Sequence, residues 1–333
     1  MEKRDWTPAQ LLELSGSYWS TCALHAAVKL DVFTFLAGAP MAVDELATEL
    51  ECDSRALLML LNAMAALGLL DKQGEGFIAT PFAANFLSKD SHGYLGHIIM
   101  HHHHLVSGWS RLDEAVKSGK PVRERVSHEE VESSRESFLM GMFNLANLLA
   151  PKIVSQIDLT GRRRLLDVGG GPGTYAIYFV KQNPELDAVI CDLATTRGFA
   201  ERTVAHFDLS ERIGFIAVDF EKEELPTGFD VAWLSHVLHG IGPETCATVL
   251  NNAVAALEPG GLILIQEFIL DDTRDAPVFP ALFSLNMLLG TPEGQAYSEG
   301  ELIDMLKDAG ATDVRRLPIE LPNGAGIIAG VTP

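Results

Sequence analysis

Two stretches of the chain hold side chains whose types and spacing suit chemistry. The first is LLDVGGGPGTYAIYFVKQNPELDAVICDL, in which an apolar run carries Asp167, a glycine-rich turn follows, and a helical stretch leads into a second apolar run ending at Asp192. Glycines at 169, 171 and 173 let the backbone pass close to a ligand while it turns into the helix. Asp192 lies 23 residues beyond Gly169, at the carboxyl end of the next strand, where a carboxylate can accept hydrogen bonds from both hydroxyls of a ribose. Position 174, where a dinucleotide fingerprint needs its third glycine, is Thr174, and no Walker lysine is present. A pyrophosphate ligand is therefore disfavoured against another adenosine-bearing cofactor. Asp167 suits an ammonium group, directly or through water, and Asp219, after the third strand, an adenine amino group. The competing reading of the glycines is a structural turn with a helix cap.

The second stretch is LSHVLHGIG. His239 falls just past the carboxyl end of a fourth strand and Glu267 ends a fifth, LILIQEF, so both lie on the side where an open sheet binds ligands. An imidazole titrating near neutrality suits proton removal, and a carboxylate behind it can orient the ring and support its protonated form. For Glu267 the alternative is a carboxylate capping a nearby helix. Gly240, beside the histidine, is expected to leave room for a substrate ring. A run of four histidines, His101 to His104, is the other conspicuous group. On a helix His97, His101 and His104 share a face, yet adjacent turns alone cannot close a tetrahedral metal site, and no metal is assigned.

These residues need a sheet to position them. From Arg163 the runs LLDVGG, AVICDL, IGFIAV, FDVAWLSHV and LILIQEF alternate with helical stretches, the pattern of an open, mostly parallel sheet covered on both faces. After them VRRLPIEL and GAGIIAGV form a hairpin across Pro322-Asn323-Gly324. Ahead of the sheet, residues 9–36 have helical spacing, and DELATELECDSRALLMLLNAMAALGLLDKQGEGFIATPFAANFL reads as helix, turn, helix and small hairpin, a winged-helix order. Its would-be recognition helix carries one Arg and is apolar on nearly every face, so it packs rather than reads DNA. The whole chain of 333 residues has 25 Lys and Arg against 45 Asp and Glu, a formal charge of -20 that repels phosphate backbones. Cys22, Cys52, Cys191 and Cys246 are isolated, which predicts reduced thiols in the cytoplasm. The first residues, MEKRDWTPAQLLEL, lack the apolar core of an export signal, and no uninterrupted apolar run is long enough to span a bilayer.

Taken in order, the winged-helix-like start, LLDVGGGPG, VICDL, AVDF, LSHVLHGIG and LEPGGLILIQEFILDD resemble the class I methyltransferases that use S-adenosylmethionine. The likeness is closer to the two-domain O-methyltransferases of the plant caffeic acid and isoflavone type and the bacterial polyketide type, over nearly the whole length. The resemblance implies an α/β fold: a Rossmann-like class I methyltransferase sheet with a terminal antiparallel hairpin, preceded by an α-helical winged-helix-like dimerisation domain. The expected division is residues 1–95 for dimerisation, 96–160 for a helical linker and substrate-pocket wall, and 161–333 for the S-adenosylmethionine domain. It further implies a homodimer and methyl transfer to a hydroxyl of a small aromatic molecule. Asp167, Gly169, Gly171, Asp192, Leu193, Asp219, Phe220 and Ser235 would border the cofactor, and His239, with Glu267, would be the general base. Met100, His103, Met142, Asn286 and Met287 would face the acceptor, although core packing is the plainer reading of each Met. Two departures stand out: the Asp that follows the family's catalytic His is Gly240 here, and its second supporting Glu falls on Ala296. Those losses leave open a carbon, nitrogen or sulfur acceptor, or a different reaction.

Overall fold

A computed structural model describes residues 5–125 and 132–333. The chain divides into two compact units, residues 1–105 and 106–333.

The first unit opens with α1 (Pro8–Gly16), started by Thr7, whose hydroxyl accepts from the Gln10 N–H while the Gln10 side chain reaches back to the Thr7 N–H. This reciprocal cap satisfies two of the helix's orphan donors. Then come α2 (Tyr18–Lys29), α3 (Val32–Phe35), β1 (Met41–Ala42), α4 (Val43–Glu49), α5 (Ser54–Ala66), β2 (Leu70–Gln73), β3 (Gly76–Ala79) and α6 (Pro81–Leu87). The helix, turn, helix and hairpin order expected from the sequence is present, with β1 adding a third strand in the order β1-β3-β2. Phe33, Leu36, Leu46, Leu61, Met64 and Phe77 make a fully buried core. Helix α5 buries Leu57, Leu61 and Met64 at helical spacing but exposes Leu58 and Met59. Helix α1 buries nothing, and Leu12 and Trp19 are 72% and 71% exposed. An apolar face of this extent is built for a partner surface.

The helix α7 (Gly96–Trp109) carries the histidine run. The second unit continues with α8 (Leu112–Ser118), α9 (Glu132–Val154), β4 (Arg164–Val168), α10 (Thr174–Gln182), β5 (Asp187–Asp192), α11 (Arg197–His206), β6 (Ile213–Ala217), β7 (Phe229–Ser235), α12 (Pro243–Ala255), β8 (Leu257–Phe268), α13 (Val278–Gly290), α14 (Glu299–Asp308), β9 (Thr312–Arg316) and β10 (Ala325–Val331). Its seven strands run β6-β5-β4-β7-β8-β10-β9. The first five are parallel, and β10 enters antiparallel to both β8 and β9. Strand β4 has its successor β5 on one side and β7 on the other, so the connections diverge there and open a crevice at the strands' carboxyl ends. Two buried layers cover the sheet, one around Trp233, Phe179 and Ile177, the other around Leu234, Leu250 and Ile265. By length and composition Ser134–Val154 of α9 could cross a membrane, but it contains Arg135, Glu136 and Lys152 and puts Ala150, Ile153 and Val154 into the first of these layers.

Candidate active site

The glycine turn joins β4 to α10 at the mouth of this crevice. Gly169 has φ 65°, and a Cβ there would lie 2.7 Å from Val237 Cγ2 and 3.4 Å from the Phe220 ring, so only glycine fits between them. Beneath the turn lies Asp167, 1% exposed, with Oδ2 lacking a hydrogen-bond partner among the described residues. Burial pushes its carboxyl up to about 7, against a backbone hydrogen bond from Ala176 and with help from the Asp192 charge. A buried carboxyl with a free oxygen is a ready receptor for a cationic nitrogen. Asp192 is held more fully. Its Oδ2 accepts from the Gly171 N–H at 2.8 Å, and its Oδ1 from the Leu193 N–H at 2.6 Å and the Thr196 hydroxyl at 3.1 Å. Burial nevertheless raises its pKa above the ordinary value. These bonds tie Gly171, Asp192 and Leu193 into one rim. Asp219 accepts from Lys222 at 2.7 Å and from the Glu221 N–H at 3.3 Å. Ser235 ends β7.

Across the sheet, a 3-10 turn at Leu238–Gly240 follows β7 and presents His239. Glu267, 1% exposed near the end of β8, is the anchor of this turn. Its Oε1 accepts from the Leu238 N–H at 2.8 Å and the His239 N–H at 3.2 Å, and its Oε2 lies 2.7 Å from His239 Nδ1. Burial opposes the carboxylate's charge, but His239 and His236 outweigh it and hold Glu267 well below the usual carboxylate range. An ionised carboxylate can only accept, so the Nδ1 side of His239 faces it with a hydrogen, and in a neutral ring the lone pair then falls to Nε2. The ring meets Phe283 edge-on at 4.7 Å, and Phe268 packs against both Phe279 and Phe283 at 4.8 Å. The His239 ring thus stands beside Phe283, with Phe268 and Phe279 packed against that ring in turn.

Residues 109–312 match the model of the O-methyltransferase domain, and residues 12–89 that of the O-methyltransferase dimerisation domain. The chain belongs to the O-methyltransferase family. Among its relatives is the 3-hydroxy-5-methyl-1-naphthoate 3-O-methyltransferase of Streptomyces sahachiroi, 35% identical, the match covering 97% of this chain and 95% of that one. An O-methyltransferase family protein from Burkholderia thailandensis has a similar structure, with a TM-score of 0.89 and 28% identity over 99% of both chains. So does PigF with SAH, with a TM-score of 0.90 and 26% identity over 98% of this chain and 100% of that one. This methyltransferase uses S-adenosylmethionine.

At Gly240 the methyltransferase brings in a residue that the sequence reading did not: a Cβ on this glycine would lie 3.0 Å from Arg125 Nη2. At the second departure, Ala296 is buried and its N–H donates to Ser284 Oγ at 3.0 Å. The adjacent Tyr297 braces the turn that carries His239 instead, its hydroxyl donating to the Ile241 carbonyl at 2.6 Å, with Cys246 Sγ 3.5 Å away. Met100 is packed against the core of the first unit, and the His103 ring meets His25 edge-on at 5.6 Å with Nε2 3.4 Å from Lys29 Nζ. On α13, Asn286 Oδ1 accepts from Arg123 Nη2 at 3.3 Å, and Met287 is buried. Met142 is half-buried on α9. Sequence reasoning missed Arg125, Tyr297 and the Phe268, Phe279 and Phe283 group; a phenylalanine pair four apart on α13, Phe279 and Phe283, was the available signal.

The matched dimerisation domain, residues 12–89, includes the exposed Leu12, Leu14, Tyr18 and Trp19. Trp19→Asp is expected to convert a species of twice 36.1 kDa to one of 36.1 kDa in light scattering, with helical circular dichroism retained because Trp19 is not part of the unit's own core. A mass unchanged by the substitution would remove α2 from the interface.

Proposed function

We propose that the protein methylates a hydroxyl group on a small aromatic acceptor, with His239 as general base and Glu267 as the residue that orients it. The observation that carries this reading is the 2.7 Å contact between His239 Nδ1 and an ionised, buried Glu267, which leaves Nε2 free to take a proton. The cofactor supplies an electrophilic methyl group on a sulfonium. His239 Nε2 takes the acceptor's hydroxyl proton as the oxygen attacks, and Glu267 balances the imidazolium without itself becoming protonated. Phe268, Phe279 and Phe283 offer flat apolar surface to an aromatic ring, with Met142, Asn286 and Met287 as further wall residues. The Streptomyces sahachiroi relative, named for a hydroxynaphthoate, supports the same acceptor class. The acidic charge supports no nucleic-acid partner, and four free cysteines support a reducing cytoplasm with no membrane association. Matched acceptors differing only in nucleophile, a hydroxyarene against its amino and thiol counterparts, test the reaction type. Mass spectrometry is expected to show methylation of the hydroxyarene, and methylation of the amine or thiol alone would overturn the reading.

On the cofactor side, Asp167 receives the ammonium, Asp192 the ribose hydroxyls and Asp219 the adenine, with Gly169, Gly171, Leu193, Phe220 and Ser235 as walls. Asp167 makes this testable by pH. Its raised pKa means the free protein holds the proton at pH values below about 7, and cation binding expels it. Cofactor affinity is therefore expected to rise with pH through about 7. Calorimetry near that pH in buffers of different ionisation enthalpy should show proton release, and Asp167→Asn should abolish the release and weaken binding. In the free protein the sign is that of a penalty: absent well below the ordinary carboxyl pKa, it grows as pH rises and is complete above about 7. Buffer-independent binding enthalpy would contradict the assignment.

A further inference from the structure

The segment that reaches Gly240 is held at several points. The Val122 and Arg123 N–H groups both donate to the Leu289 carbonyl, at 3.0 and 3.1 Å, and Arg111 Nη1 donates to the Val122 carbonyl at 2.8 Å. Arg125 follows. Its Nη1 donates to Glu221 Oε1 at 2.6 Å, with the two side chains 26% and 23% exposed, while Nη2 lies over Gly240. Glu221 in turn gives its N–H to Asp219. One guanidinium therefore joins three parts of the second unit: the segment before α9, the loop after β6, and the turn that carries His239.

We propose that Arg125 is a positioning residue for the cofactor pocket, clasping the Asp219–Glu221 loop against the backbone of Gly240. The proposal rests on the reading that Asp219 and Phe220 border the cofactor. It also bears on the glycine: a side chain at 240 would crowd the guanidinium, its Cβ falling 3.0 Å from Nη2, and an aspartate there would compete with Glu221 for the same cation. A planar, permanently charged group suits the task because one of its nitrogens can hold a carboxylate while another lies against the glycine. The clasp acts on the adenosine side of the pocket, so its loss loosens cofactor binding before it touches the base.

The test is calorimetric titration with S-adenosylhomocysteine, which reads binding without turnover. Arg125→Ala is expected to raise Kd roughly tenfold, the scale of one charge-assisted hydrogen bond. Glu221→Arg should do the same, and the exchange Arg125→Glu with Glu221→Arg should recover most of the affinity, which a general loss of folding would not allow. Gly240→Ala should weaken binding in the parent but add little to Arg125→Ala, since both act on one contact. The KM of the acceptor should stay within twofold in Arg125→Ala. Unchanged Kd in Arg125→Ala, with weakened binding in Asp192→Asn, would overturn the clasp alone. Unchanged Kd in both variants would overturn the cofactor-pocket reading, and the clasp with it. A shifted acceptor KM at unchanged Kd would assign Arg125 to the acceptor instead.

Discussion

His239→Ala is expected to lower kcat for methyl transfer by roughly a hundredfold to ten-thousandfold, the range typical of a positioned general base, while leaving the Kd of S-adenosylhomocysteine within twofold. The separation follows from where the imidazole sits. Its Nδ1 is committed to Glu267 and its ring to Phe283, while the Gly171, Asp192 and Leu193 rim is closed by its own hydrogen bonds on the other side of the switch point. Losing the ring therefore removes proton acceptance and leaves the cofactor rim alone. The loss should shrink at high pH, where a phenolic acceptor ionises without help, so rates across pH distinguish a lost base from a damaged pocket. Equal kcat in variant and parent would remove His239 from the chemistry.

Glu267→Gln is the second large effect, and it acts through tautomer rather than charge alone. A glutamine keeps an oxygen for the Leu238 and His239 N–H groups, so the turn stays in place. The amide then donates to His239 Nδ1, which must accept, and the ring hydrogen moves to Nε2, where the acceptor's proton should go. A fall in kcat of roughly a thousandfold or more is expected from a blocked base with correct geometry. Glu267→Ala should add a loss of stability, because two backbone donors lose their acceptor at a cost of about 1–3 kcal/mol each. The pH behaviour has a definite sign. Since the histidines outweigh burial and hold the Glu267 pKa far down, the stability it contributes is fully present above the ordinary carboxyl pKa and is lost progressively as pH falls from there through its lowered folded value. Comparable kcat in Glu267→Gln and the parent would show that the tautomer is set elsewhere.

The parts of this site visible in the sequence are those fixed by local pattern. The five parallel strands read as short apolar runs because both sheet faces are covered, and their carboxyl ends locate Asp167, Asp192, His239 and Glu267 without further information. The terminal hairpin was legible in its pairing but not in its bounds: β9 is the polar, largely exposed Thr312–Arg316, and residues 317–324 connect it to the apolar β10. Arg125 was not, because its partner Glu221 is 96 residues away and nothing local marks either one. Tyr297 braces a carbonyl 56 residues distant. Gly240 shows the cost: from its type alone a glycine beside His239 offers space, but Arg125, brought from far along the chain, approaches that side of it. The histidine run on α7 was the most conspicuous feature in the sequence, yet among the described residues the group of three potential metal ligands is His236, His239 and Glu267. Density along the chain did not become density in space.

The decisive measurement is the position of a labelled methyl group after turnover. Incubation with methyl-labelled S-adenosylmethionine and a hydroxylated aromatic acceptor, read by nuclear magnetic resonance, is expected to place the label on oxygen as an aryl methyl ether in the parent, with the signal all but lost in His239→Ala. Label on carbon, nitrogen or sulfur, or an undiminished ether signal in His239→Ala, would contradict oxygen methylation driven by the His239–Glu267 pair.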